Sequence, residues 1–355
     1  PWPAFPGLVG EFVASTGDHT SYGIAVKASA RNFVFNKKKY YEDGKNVVTD
    51  HSLLVPFVTG GAFGAFYDDA PKALAKGESF ESEKYFIVGS GDVGSVLDVL
   101  NQIRAVPTGR LSGQLVDAVT GAASVDAYVV VYQRTASGRR AFSHYSAKAE
   151  GYFSGTLPAG GYSLKVLGKG RPAGNFVDFD ITTDTVTSLR LESTPPGRIV
   201  VHVRDKQGRK LPAKVTAVGV YGPEYSGMST RDFLFDLAAG ESFRSSDLVP
   251  DDPAEGRTRR FIETIGFTER GRAEVLVRPG SYHIVPSRGP EYNLAVTTLE
   301  VASNATVSVE HTLARVVNTD GWVAVDTHVH STQSPDSPIS LDQRVLSIAG
   351  EGIDV

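Results

Sequence analysis

Apolar and polar positions alternate in short runs along most of this chain, and the runs are cut by glycine, proline and paired aspartates. Tyr22-Gly-Ile-Ala-Val-Lys-Ala and Leu53-Leu-Val-Pro-Phe-Val read as strands, broken by Gly60-Gly61, Gly64 and Asp68-Asp69. One segment departs from the two-residue period. Val93, Val96, Leu97, Leu100 and Ile103 recur at helical spacing, with Asp92 placed as an N-cap, so a helix is predicted from about Val93 to Arg104. It reads as a connector packed on a sheet.

Beyond that helix the pattern repeats. Gly109-Arg-Leu-Ser-Gly-Gln-Leu-Val-Asp, a turn at Thr120-Gly121, Ala127-Tyr-Val-Val-Val-Tyr, Leu157-Pro-Ala-Gly-Gly-Tyr and Thr185-Val-Thr-Ser-Leu-Arg-Leu follow one another in order. The same order returns as Gly197-Arg-Ile-Val-Val-His-Val-Arg-Asp, a turn at Gln207-Gly208, Ala213-Lys-Val-Thr-Ala-Val, Val277-Arg-Pro-Gly-Ser-Tyr and Ala305-Thr-Val-Ser-Val-Glu-His-Thr-Leu. In both copies Pro and Gly set a turn and Tyr opens the next strand toward the core. Two small antiparallel sandwiches are the natural reading. These segments resemble carboxypeptidase-regulatory-like (transthyretin-like) modules. The fold class predicted is therefore mainly β: a β-rich N-terminal domain (1–107), a sandwich (108–194), a second sandwich (197–314) with an insertion near 222–260, and a distinct segment (315–355). An insertion of that length is usually functional or mobile, a contact with a neighbouring domain being one reading.

Composition narrows the chemistry. With 36 basic and 40 acidic residues the formal charge is −4, so no basic field gathers nucleic acid. There is no cysteine, which removes disulfides, thiolate nucleophiles and Cys-based metal sites. No apolar run approaches the ~20 residues of a membrane span. The chain opens on Pro1, its single methionine is Met228, and Gly352-Ile-Asp-Val355 reads as an interrupted strand. A piece of a longer, extracytoplasmic polypeptide is the expectation.

Several motifs have ordinary structural readings. Gly89-Ser-Gly-Asp-Val-Gly94 matches G-x-G-x-x-G between a strand and a helix, but no βαβ unit or later acidic residue completes a dinucleotide site, so it reads as a glycine-rich turn. Lys37-Lys-Lys-Tyr-Tyr41 reads as a solvated strand end rather than a phosphate or sugar site. Ser287-Arg-Gly-Pro-Glu-Tyr292 reads as a turn with Arg288 paired to Glu291, or as a buttress for a neighbouring domain. His19, His51, His144, His202, His283 and His311 lie apart and read as packing or surface residues.

Val323-Ala-Val-Asp-Thr-His-Val-His-Ser differs. Asp326, His328 and His330 stand at alternate positions, so on a strand all three share one face, as metal ligands require. Asp336 in Ser334-Pro-Asp-Ser-Pro338 offers a further oxygen, and Leu341, Val345, Ile348 and Ala349 mark an amphipathic helix ending at Gly350 or Gly352. Strand, loop, helix, strand suggests the first βα unit of a barrel.

The run from Val316 to Ser331, with Ser334-Pro-Asp-Ser and Gly352-Ile-Asp, resembles the opening of a PHP-domain metallohydrolase of the CehA/McbA type. That resemblance implies a distorted β/α barrel binding two or three divalent ions (zinc, manganese or iron) and hydrolysing phosphoesters. It implies His328 and His330 as a ligand pair, Asp336 as ligand or support, and Asp326 as support. It further implies the remainder of the barrel as partner, since later ligands are absent and the chain alone should be inert. The alternative reading is a surface binding or structural β-sandwich protein, with a carbohydrate or protein ligand and a vestigial metal site.

Overall fold

The computed structural model describes short stretches before residue 84 (9–10, 12–16, 19–26, 32–33, 40–42, 45–47 and 75–78), then 84–136, 138–221, 259–334, 337 and 339–355. The expected strand at 53–58, the lysines of the 37–41 run, Asp336 and most of the 222–260 insertion lie outside the described residues. Two compact units divide the chain. One is Pro1–Val116, Ala123–Val166 and Asn175–Leu191; the other is Asp117–Ala122, Leu167–Gly174 and Glu192–Val355.

The chain is mainly β, and its regular part is one strand arrangement used twice. In the first copy β8 (Thr108–Asp117), β9 (Ala127–Thr135), β10 (Gly138–Ser146), β11 (Tyr152–Pro158), β12 (Gly160–Gly168), β13 (Val177–Ile181) and β14 (Val186–Ser193) form sheets of order β10-β9-β12-β13 and β11-β8-β14. In the second copy β15 (Gly197–Asp205), β16 (Lys214–Tyr221), β17 (Arg259–Phe267), β18 (Arg272–Val277), β19 (Gly280–Ser287), β20 (Thr297–Val301) and β21 (Thr306–Leu313) form orders β17-β16-β19-β20 and β18-β15-β21. Strand for strand, the two topologies coincide.

Alternation explains the cores. Leu111, Leu115, Phe153 and Leu157 from one sheet meet Val129, Val131, Tyr162 and Leu164 from the other in the first module. Ile199, Val201, Val203 and Val275 meet Val215, Tyr282 and Ile284 in the second. Each fully buried side chain of this size contributes about 1.5–3 kcal/mol.

The repeated Pro/Gly/Tyr element has the same geometry in both modules. Gly160 and Gly280 sit at φ +155° and +153°, where a side chain is strained. Tyr162 and Tyr282 are fully buried, and each hydroxyl donates to the carbonyl four residues upstream, Pro158 O at 3.0 Å and Arg278 O at 2.6 Å. The tyrosine ties the turn to the strand that leaves it, which is why both turns end on the same residue.

Before the modules, β1 (Val9–Gly10) pairs with β4 (Asn32–Phe33) and β5 (Tyr40–Glu42) with β6 (Lys45–Val47), while β2 (Val13–Thr16), β3 (Ser21–Val26) and β7 (Lys84–Gly89) form an antiparallel sheet of order β2-β3-β7. Helix α1 (Val93–Ile103) follows at once, and Ser95 N donates to Asp92 Oδ1 at 2.8 Å as its N-cap. Val96 and Leu100 pack on that sheet through Ala25 and Ile87, while Leu97 enters the core of the first sandwich. Gly94 makes the second contact possible: a Cβ there would lie 2.0 Å from Tyr145 Cε1, and one on Gly155 would lie 2.2 Å from the same atom. Tyr145, fully buried, occupies a slot between two glycines.

The segment after β21 departs from the barrel expectation. Residues 323–330 form no strand; three backbone bonds pair 324–326 with 354–355 (Asp326 N to Val355 O, and Asp354 N and Val355 N to Ala324 O), and Ala324 N donates to Asp354 Oδ2 at 3.0 Å. Helix α2 (Leu341–Gly350) forms with a capping box between Ser340 and Gln343. Its apolar stripe is not its buried side, because Leu341 and Val345 are 52% and 60% exposed while Gly350 is the buried residue.

Candidate functional site

Two places carry polar side chains in organised arrangements within the second unit. The first is the clasp built by Ser287-Arg-Gly-Pro-Glu-Tyr292. Arg288 does not serve Glu291. Its Nη1 donates to Pro212 O at 2.9 Å and to Ala349 O at 2.5 Å, fixing the C-terminal end of α2 on the entry to β16. Lys214 Nζ meets Glu351 Oε1 at 2.6 Å beside it. Gly289 takes φ +53° and allows Glu351 O to approach where a Cβ would stand 2.4 Å away. A Cβ on Gly350 would lie 2.6 Å from Phe267 Cδ1, so the helix end also needs its glycine.

Glu291 holds the other end of the same segment. Its backbone carbonyl accepts from Val316 N at 2.7 Å and Val317 N at 3.1 Å. Its carboxylate accepts from Thr319 Oγ1 and, at 2.9 Å, from Arg315 Nη2. Those donors hold the carboxyl below the usual carboxylate range, the Thr319 hydroxyl first and the Arg315 guanidinium next. Asn293 completes the seam, its N–H donating to Ala314 O at 3.0 Å and its Oδ1 accepting from Ala314 N at 2.6 Å. The six-residue motif is thus a clasp for residues 314–319 and 349–352. In place of an Arg288–Glu291 hydrogen bond, each residue bonds to the segment it holds.

The second place is the histidine pair. His328 and His330 Nε2 face each other at 2.6 Å with ring centroids 4.6 Å apart, one ring donating and the other accepting according to tautomer. Asp326 does not join them as an acidic neighbour. It is exposed, and its Oδ1 accepts from His328 N at 3.0 Å, a local turn bond. Arg344 Nε donates to His330 O at 2.8 Å. Among the described residues no group of three or more His, Asp or Glu is placed to hold a metal ion. Two imidazoles on an open surface are half the ligand set of a tetrahedral site.

The G-x-G-x-x-G turn is filled by the protein itself. Asp92 accepts from Ser95 N, and its Oδ2 accepts from Ser146 N at 3.3 Å, while Ser21 Oγ donates to Asp92 O at 2.8 Å. A carboxylate stands where a bound phosphate would. Gly94 serves Tyr145 rather than a ligand, and β8 joins a different sheet from β7, so no βαβ unit exists.

No family model matches this chain, and neither does any curated protein. Solved structures do. The Bacillus anthracis TIE protein is 13% identical over 84% of this chain and 43% of its own, with a TM-score of 0.22. A streptococcal ancillary pilin is 12% identical over 59% and 63%, with a TM-score of 0.29. The shaft pilin SpaA from Lactobacillus rhamnosus GG is 10% identical over 59% and 99%, with a TM-score of 0.31. The chain spans less than two thirds of the first two, and scores this low carry no residue roles across.

The metallohydrolase resemblance is corrected: no family model supports it. The strand meant to align Asp326, His328 and His330 does not form, and no metal-holding cluster assembles among the described residues. The labels hydrolase, phosphoesterase and metal-binding fall with it, as do the phosphoester substrate and the remainder of a PHP barrel as partner. The sequence missed Lys214 and Glu351, whose pairing joins positions 137 apart and leaves no local signal.

Proposed function

We propose that this chain is part of a secreted or cell-surface protein whose tandem β-sandwich modules serve a structural or binding role, with protein partners in an extracellular assembly. The observation that carries the reading is the duplicated sandwich: two copies of one topology, each with its own closed core. Organised polar side chains hold segments of the chain together rather than lining a reactive cleft. No helix among the described residues is long and apolar enough to cross a membrane.

The test is protease shaving of intact cells of the native source, followed by peptide mapping. Release of peptides from both sandwiches before cytosolic markers supports the reading. Retention of the whole protein inside intact cells, with release only on lysis, refutes it.

A further inference from the structure

The repeat makes one substitution conspicuous. Strands β14 and β21 end their sandwiches with the same alternation of exposure, residue for residue. Leu191 occupies the penultimate core-facing position in the first module, and His311 occupies it in the second. His311 is 7% exposed, and among the described residues its Nε2 has no hydrogen-bond partner. It stands in the row of Val307, Val309 and Leu313, all directed at the core. An imidazole there gains none of the packing of leucine and leaves a polar atom unpaired, at a cost to stability at every pH.

The strand is also the one best placed to yield. β21 lies at the edge of β18-β15-β21 and is held by a parallel ladder to β15 alone, with Val203 opposite His311. Directly after it begins the seam of Ala314, Arg315, Val316 and Val317 with Glu291 and Asn293.

We propose that His311 is an acid-sensitive latch: a proton taken up by its ring opens the end of β21 and with it the clasp on the C-terminal segment. The ionisable groups sharing the core side around it do not stabilise the cation. Asp205, on β15, is committed to Gln207 N, Arg209 N and the Arg209 side chain. The Tyr282 hydroxyl, from β19, donates to Arg278 O, and Tyr292, after β19, lies with its ring under the Arg288 guanidinium. Burial alone acts on the ring and pushes its titration below the ordinary value of 6.5. The unfolded chain therefore takes the proton first. Stability from a neutral His311 is full above that pH and is lost as pH falls, by at most tenfold in the opening equilibrium per pH unit for one proton.

Hydrogen exchange on the full chain at pH 7.5 and 5.5, corrected for intrinsic rates, tests the latch above the range where carboxylates titrate. Amides of 311–317 should lose protection several-fold at pH 5.5, and His311→Leu, which copies Leu191, should hold its protection. Equal loss in both proteins, or none in the wild type, overturns the proposal. If the variant fails to fold, the wild-type imidazole resonances decide: titration of His311 at or above 6.5 with protection intact refutes the latch.

Discussion

Arg288→Ala is the perturbation that most directly tests how residues 314–355 are held. The guanidinium is half-buried and gives hydrogen bonds to two carbonyls, Pro212 O and Ala349 O, from elements far apart in sequence. A hydrogen bond from a charged donor contributes about 1.5–3 kcal/mol, and partial exposure places each of these near the lower end. Its position over the Tyr292 ring, 5.6 Å from the centroid, adds ~0.5 kcal/mol. The loss should total ~2–4 kcal/mol, or ~30- to ~700-fold in the equilibrium for undocking α2. Hydrogen exchange followed by peptide mapping reads this directly. Amides of 341–352 should exchange faster by that factor, while those of β15 and β18 stay protected because their core contains no part of Arg288. Arg288→Lys should recover part of the protection, since an ammonium reaches one carbonyl but lacks the planar fork. Unchanged exchange across 341–352 in Arg288→Ala would refute the clasp.

Other consequences are as specific. Gly94→Ala places a methyl 2.0 Å from Tyr145, which Gly155 confines on its other side; overpacking of ~1–3 kcal/mol less the ~1 kcal/mol gain in helix propensity leaves a loss of up to ~2 kcal/mol, and thermal melting should show a midpoint lower by up to about 8 °C. Tyr282→Phe removes a 2.6 Å hydroxyl bond and should cost ~1 kcal/mol in urea denaturation, with Tyr162→Phe costing less because its bond is 3.0 Å; equal and negligible effects would show that the corner is held by packing alone. Burial raises the Asp205 carboxyl, but the Arg209 side chain and backbone and the Gln207 N–H bring it net below its ordinary 3.8, so its contribution is full above that pH and is lost as pH falls through the folded value. Melting of wild type and Asp205→Asn between pH 5 and 3 checks this: the wild type should lose stability more steeply, and parallel curves would refute the assignment.

The parts of the fold legible in the sequence are those encoded by spacing. Val93, Val96, Leu97 and Leu100 mark a helix because their buried side chains recur at spacings of three and four, and Asp92 caps it through its own side chain. The sandwiches are legible because inward residues alternate and the Pro/Gly/Tyr turn recurs with the same backbone demand. His328 and His330 misled for the same reason. Alternate spacing places residues on one face only if a strand forms, and strand formation there depends on a neighbour to pair with, which local sequence does not encode. The exposed Trp322, Val323 and Val325 are the visible result: a pattern fit for a buried parallel strand, with three backbone bonds to hold it. Arg288 shows the converse. Its nearest acidic residue in sequence suggested an ion pair, yet its bonds go to carbonyls 76 and 61 positions away.

The two copies share a topology but not a task. Where the first module presents Pro158 to its tyrosine, the second presents Arg278, whose side chain forms an ion pair with Glu263, itself 8% exposed. Where the first buries Leu191, the second buries His311. The clasp itself, from Ser287 to Tyr292, follows β19, at the place where the first copy runs from β12 toward Phe176. Each change lies on the second copy, and the clasp with Lys214 makes one edge of that sandwich a seat for residues 314–355. The shared strands supply the stable core; the clasp residues, which the first copy lacks, supply the contact.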